Sequence, residues 1–170
     1  MTVTNSRRAR TAALGAVDRS VRDIVKEESG DAELVERPAY TGAQTMILAP
    51  TAEATVRAAL LLRDAANARA HRAISEVRGE GGTWERVAEL LGLPEEHDDG
   101  GSAAERAFDF VAPTVLFRSP TTSWRCTSCD RVVTDHGPWN HPSDNERGHA
   151  STCTRHNAEI AAYEAKWEDA

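Results

Sequence analysis

Three cysteines fall within 28 residues of a 170-residue chain that contains no others, and their placing constrains the fold more than any other feature. Cys126 and Cys129 stand in WRCTSCDRVV, and Cys153 stands in HASTCTRH between His149 and His156. An odd cysteine count with no export signal argues against a disulfide framework and predicts a reducing, cytoplasmic setting. Two cysteines separated by two residues can hold one metal from a single tight turn, and zinc takes four sulfur or nitrogen ligands in a tetrahedron. A free, buried thiol is the usual state of an isolated cysteine, but this pair has a third cysteine among histidines close by. A redox pair would need a thioredoxin-like strand and helix pattern around it, which the flanks lack.

The flanks TTSWRC and RVVTD predict a strand, a knuckle and a second strand. Downstream, Ser143 and Glu146 have capping-box spacing, and Ile160, Tyr163 and Trp167 follow at helical intervals, which predicts one helix carrying the remaining donors. On such a helix His149 and Cys153 are four apart and Cys153 and His156 three apart, so either pair can face a metal. Five candidates therefore compete for four places. The expected set is Cys126, Cys129, His149 and Cys153, because Gly148 relaxes the backbone before His149. The rival set exchanges His149 for His156. With four protein ligands no position stays open for substrate, so the expected Zn2+ is structural and the protein is not an enzyme. His136 and His141 read as solvated loop residues. Trp124, Trp139 and Trp167 read as apolar cover for a module too small to hold much core.

Cys-x2-Cys, nineteen residues, then His-x3-Cys resembles the Cys-Cys-His-Cys zinc fingers of the ubiquitin-binding type over residues 124 to about 168. That resemblance implies that a hairpin supplies the first pair and one helix the second. The stretch also looks like C-terminal zinc modules of small actinobacterial proteins. The rival set reads as a zinc ribbon or treble clef, and with Asp135, His136 and Asn145 between its pairs it resembles the HNH nucleases. There His136 would be the general base, supported by Asp135 and Asn145. The five residues between Cys129 and Asp135 are too few for the strand such enzymes use. Residues 112 to 170 also hold six basic against eight acidic side chains, which is no surface for DNA.

The rest of the chain reads as helix. Leu14, Val17, Val21, Ile24 and Val25 lie at helical spacing within residues 6 to 28, and this helix is read as docking on its neighbour rather than as a basic arm, because its charges balance. Residues 29 to 50 carry Gly30, Pro38, Gly42 and Pro50 and read as a connector with one small strand. Thr51 caps a helix running to about Val77, GEGG stops it, Thr83 caps TWERVAELLGL with Gly92 as its stop, and a Ser102 to Glu105 capping box opens a third helix ending at Pro113. No apolar run approaches the roughly 18 residues of a membrane span.

The order long helix, Gly-containing turn, TWERVAELLGL, helix resembles the helix-turn-helix of bacterial sigma-factor region four over about residues 65 to 112. It implies that the helix from Ser102 enters the major groove, with Arg86 and Arg106 as the contacts to DNA. Against it, the turn spans residues 92 to 101 and carries Glu95, Glu96, Asp98 and Asp99, which would repel phosphates. Residues 51 to 111 hold seven arginines against twelve acids, and the whole chain has a net charge of −7. The expectation is a mainly α protein: an amphipathic helix and connector (1–50), a helix-turn-helix-like domain (51–112) and a small α+β zinc module (113–170). Its expected role is a DNA-binding regulator or accessory factor, or else an adaptor that docks on another protein.

Overall fold

Helices dominate the computed structural model, which describes residues 3–95, 101–112 and 119–168. The architecture is mainly α with a small α+β module. Glu96, Asp98, Asp99 and Pro113 lie outside the described residues, as does the side chain of Trp167. The chain divides into two units, Met1–Arg69 and Ala70–Ala170, and the division falls within a helix. Residues 70–95 and 101–112 share one unit with the cysteines.

In the first unit, α1 (Val3–Ser29) is followed by a hairpin of β1 (Leu34–Pro38) and β2 (Met46–Pro50), then by α2 (Ala52–Gly79), which continues into the second unit. The connector thus holds two paired strands, not one, with Leu34 opposite Pro50 and Pro38 opposite Met46. Both prolines end their strands, where a missing N–H is tolerated. Thr51 caps α2 as its position predicts, its hydroxyl accepting from the Ala54 amide at 3.2 Å. Val21 and Val25 pack on Ala54 and Ala58, with Ile24, Leu34 and Leu62 at the margin.

In the second unit, Thr83 caps α3 (Trp84–Leu91) and Gly92 ends it in the left-handed region at φ 70°. Ser102 and Glu105 form the expected capping box of α4 (Ala103–Val111). Ala103, Ala104 and Ala107 let α4 approach α3 closely, and Phe108, fully buried, meets Trp84 edge-on at 5.2 Å. Ile74 of α2 closes this core.

The cysteine-bearing part is a three-stranded antiparallel sheet in the order β3 (Thr122–Arg125), β4 (Val132–Asp135), β5 (Glu146–Arg147). The expected strand, knuckle and strand are present, with Trp124 opposite Val133. The expected helix from Ser143 is not. Pro142 at the first helical position starts a single turn, α5 (Pro142–Asn145), capped by the His141 ring, and the chain then straightens into β5. Gly148 at φ 107° brings the backbone against β4, where a Cβ would lie 2.7 Å from the Val132 carbonyl oxygen. His149 follows in a loop, and α6 (Thr154–Glu168) begins only after Cys153. The His149 to Cys153 spacing is therefore a loop spacing, not a helical one.

Candidate metal centre

The knuckle is shaped by backbone bonds: the Cys126 amide donates to Arg131 at 2.9 Å, and the Asp130 amide donates to Cys126 at 2.8 Å. Asp130 itself sits at φ 57°. The end of α2 holds the loop from outside, since the Gly79 carbonyl accepts from both the amide and the hydroxyl of Thr127, at 3.0 and 2.9 Å. A Cβ on Gly79 would lie 2.4 Å from the Arg125 carbonyl oxygen, so this close approach needs glycine.

Cys126, Cys129, His149 and Cys153 place one donor atom each within 4.8 Å of one another, close enough to coordinate a metal. All three cysteines are free thiols. Cys126 and Cys153 are buried with their sulfurs 3.9 Å apart, and Cys129 Sγ lies 3.6 Å from His149 Nδ1. A tetrahedron with zinc–sulfur bonds of about 2.3 Å and zinc–nitrogen bonds of about 2.0–2.1 Å has edges of about 3.8 and 3.6 Å. The donor set and its spacing fit zinc. The Ala150 amide draws the Cys129 thiol down to about 6, aided by the His149 ring and opposed by burial. Burial pushes the Cys153 thiol up.

The opposite nitrogen of His149 fixes the ring. Nε2 lies 2.9 Å from Glu146 Oε2, and a ring that donates there keeps its lone pair on Nδ1, the atom facing Cys129. His156 stacks on the His149 ring at 4.2 Å and lies 3.8 Å from Glu146. Burial first, then the neighbouring His149, lowers its pKa. It also groups with Glu146 and His149 within 4.8 Å, but two arginines already occupy that carboxylate, and the buried His156 Nδ1 makes no hydrogen bond to it.

Those arginines belong to a network that sequence reading missed. Asp135 and Glu146 are direct partners across β4 and β5, a pairing of like charges that costs stability by itself. Arg78, from α2, enters between them. Its Nη2 donates to Glu146 and, at 2.8 Å, to Asp135, while its Nη1 donates at 2.6 Å to Gly82. The indoles of Trp84 and Trp124 donate to the same Asp135 oxygen at 3.2 and 3.0 Å, and the Gly137 amide donates to the other at 2.9 Å. Arg155 of α6 reaches both Glu146 oxygens, lies over the Trp124 ring and comes within 4.0 Å of Cys126 Sγ. Each buried charge is thus paired and hydrogen-bonded, the condition under which burial is tolerated. The available signal was Asp135 at the end of the apolar strand RVVTD alone, since Glu146 stands between Asn145 and Arg147 and no spacing motif pairs either acid with Arg78 far upstream.

The remaining candidates lie elsewhere. Asp135 and Asn145 do not support His136: the first is enclosed as described, and the Asn145 amide closes a loop on Asn140 through two bonds of 3.0 and 2.7 Å. Arg86 pairs with Glu89 at 2.6 Å on the exposed side of α3. Arg106 donates to the carbonyls of Gly101 and Pro94, one on each side of the α3 to α4 connection. Trp139 is half exposed and touches Phe108 edge-on. Comparison of the chain with protein-family models, curated proteins and solved structures gave no match.

Proposed function

We propose that residues 70–170 form a binding module built around a structural zinc site, in a regulatory or accessory protein. The observation that carries this is the closed donor set: three thiols and one imidazole converge, and the far side of the ring is locked by a carboxylate that two arginines hold in turn. Zinc bound there would neutralise thiolate charge and tie three segments of chain together. The residues supply the rest. Cys126 and Cys129 present sulfur from one turn, Glu146 orients His149, and Arg155 balances the net negative charge that three thiolates leave around a divalent ion.

A protein partner is favoured over duplex DNA, because the two arginines expected to touch DNA are engaged within the unit and α4 exposes Asp109 and Phe110. The metal reading is tested by elemental analysis of the purified full chain. One zinc per chain is expected, lost with Cys126→Ser and with His149→Ala but retained in His156→Ala. Retention in His149→Ala with loss in His156→Ala would overturn the ligand set. Binding of random duplex DNA that weakens steeply as salt rises would overturn the preference for a protein partner.

A further inference from the structure

Within the second unit a cavity of about 360 Å³ opens between the start of α3, the loop after β4, α5 and the second half of α6. That volume falls within the range of about 300–1,000 Å³ in which proteins hold small organic ligands. Glu159, Ala162, Tyr163 and Lys166 line it from a single face of α6, since they stand at intervals of three, four and seven. Pro138 adds a further apolar wall, and the buried Arg78 and Glu146 bring the cavity up to the charge network.

That network is one cation short. Asp135, Glu146 and Glu159 are three carboxylates held by two guanidiniums: Arg78 is shared between Asp135 and Glu146, and Arg155 between Glu146 and Glu159. His149, with Nδ1 given to the metal, meets Glu146 as a neutral ring, and a zinc with three thiolates would add a further negative charge beside Arg155. Glu85 and Lys166, at exposed positions of the lining, cancel each other. The unmatched charge is accessible at one place. Asp135 and Glu146 are enclosed, whereas the Glu159 side chain keeps 33% of its surface and is held only by Arg155, at 3.3 Å. Burial first, then the neighbouring Glu146, pushes the Glu159 carboxyl up, as expected of an acid with too little cation around it.

We propose that this cavity receives one basic side chain, an arginine or a lysine, from a partner protein, with the charged head at Glu159 and the aliphatic stem along Pro138, Ala162 and Tyr163. Both side chains lay an apolar stem against apolar wall while the head seeks charge. The inference rests on the preceding reading of a zinc-holding module with a protein partner, and it supplies that partner's chemistry. A basic surface is also the one that a chain of net charge −7 attracts.

Nuclear magnetic resonance of the full, isotope-labelled chain tests it, with acetyl-Gly-Arg-Gly-amide and acetyl-Gly-Lys-Gly-amide as probes. Shifts are expected at the Gly137, Ala162 and Tyr163 amides, with a Kd on the order of 1 mM that weakens as salt rises. Acetyl-Gly-Glu-Gly-amide should cause none. Glu159→Gln, which removes the charge and keeps the size, should weaken binding by about tenfold. Ala162→Phe, at an exposed position, should fill the cavity and abolish binding with Glu159 intact. Zinc content is measured on the same samples, so a zinc-loaded chain that ignores both basic peptides overturns this inference alone, whereas a folded chain without zinc overturns the earlier reading. Equal binding of the acidic peptide, or indifference to both substitutions, would also sink the proposal. So would free L-arginine binding about tenfold more tightly than its blocked peptide, which would make the ligand a free amino acid.

Discussion

The two units solve the problem of small size by opposite means. In the first, contact is apolar and thin: Val21 and Val25 meet alanines, and larger leucines and valines stay in solvent. In the second, an apolar core around Phe108 is joined by a dense buried polar network, with Arg78, Asp135 and Glu146 each at most 3% exposed beside four metal-type donors. A thin apolar contact degrades by degrees when one side chain is trimmed. A closed polar network does not, because removing one member strands a partner without water.

That contrast orders the expected effects. The largest follows from the proposed zinc site: with zinc bound there, chelation or Cys153→Ser should unfold the cysteine-bearing part, since a structural zinc contributes about 10–16 kcal/mol at neutral pH. Near-ultraviolet dichroism from the buried tryptophans should collapse while the far-ultraviolet signal of α1 persists. Next, Arg78→Met should cost about 3–5 kcal/mol in denaturant melts by leaving Asp135 and Glu146 opposed and Asp135 without its cation, while Arg155 still holds Glu146. A double change to Arg78→Met with Asp135→Asn should recover part of that loss, and failure to recover any would show that the arginine acts by packing alone. In the first unit Val25→Ala should cost only about 1–3 kcal/mol, as trimming a small apolar contact does.

The smallest effect is at Glu33. Hydrogen bonds from Arg57, then Ser29, hold its carboxyl below the ordinary value of 4.5. A lowered carboxyl contributes stability above its unfolded value and loses it as pH falls through the folded one. Arg57 is exposed and Glu33 partly so, so Glu33→Gln should move the melting midpoint by no more than about 1–2 °C at neutral pH, and by less as the pH falls through the carboxyl's folded value. A larger change would mean that the first unit also depends on charge.

Local signals in the chain were legible wherever the cause was local. Thr51, Thr83, Gly92 and the Ser102 to Glu105 box end their helices where their chemistry places them, because a cap needs only neighbouring backbone. The four donors were legible from spacing, but their scaffold was not. Ser143 and Glu146 have the spacing of a cap, yet Glu146 is drawn into pairing with Arg78 and Arg155, partners 68 and 9 residues away, and no local pattern records that pull. Gly79 shows the same limit. It reads as a helix stop, whereas its lack of a side chain serves the approach of Arg125 and the hold on Thr127.

The shared carboxylate of Asp135 also gives the molecule an optical signature of its own. Trp84 and Trp124 are buried, and their indoles donate to one oxygen that Arg78 also holds. Indole emission shifts with the charge and polarity along its ring, so both fluorophores sense the same anion and the same guanidinium. Opening the network would move two of the chain's four tryptophans at once, and unlabelled protein would report it as a red shift.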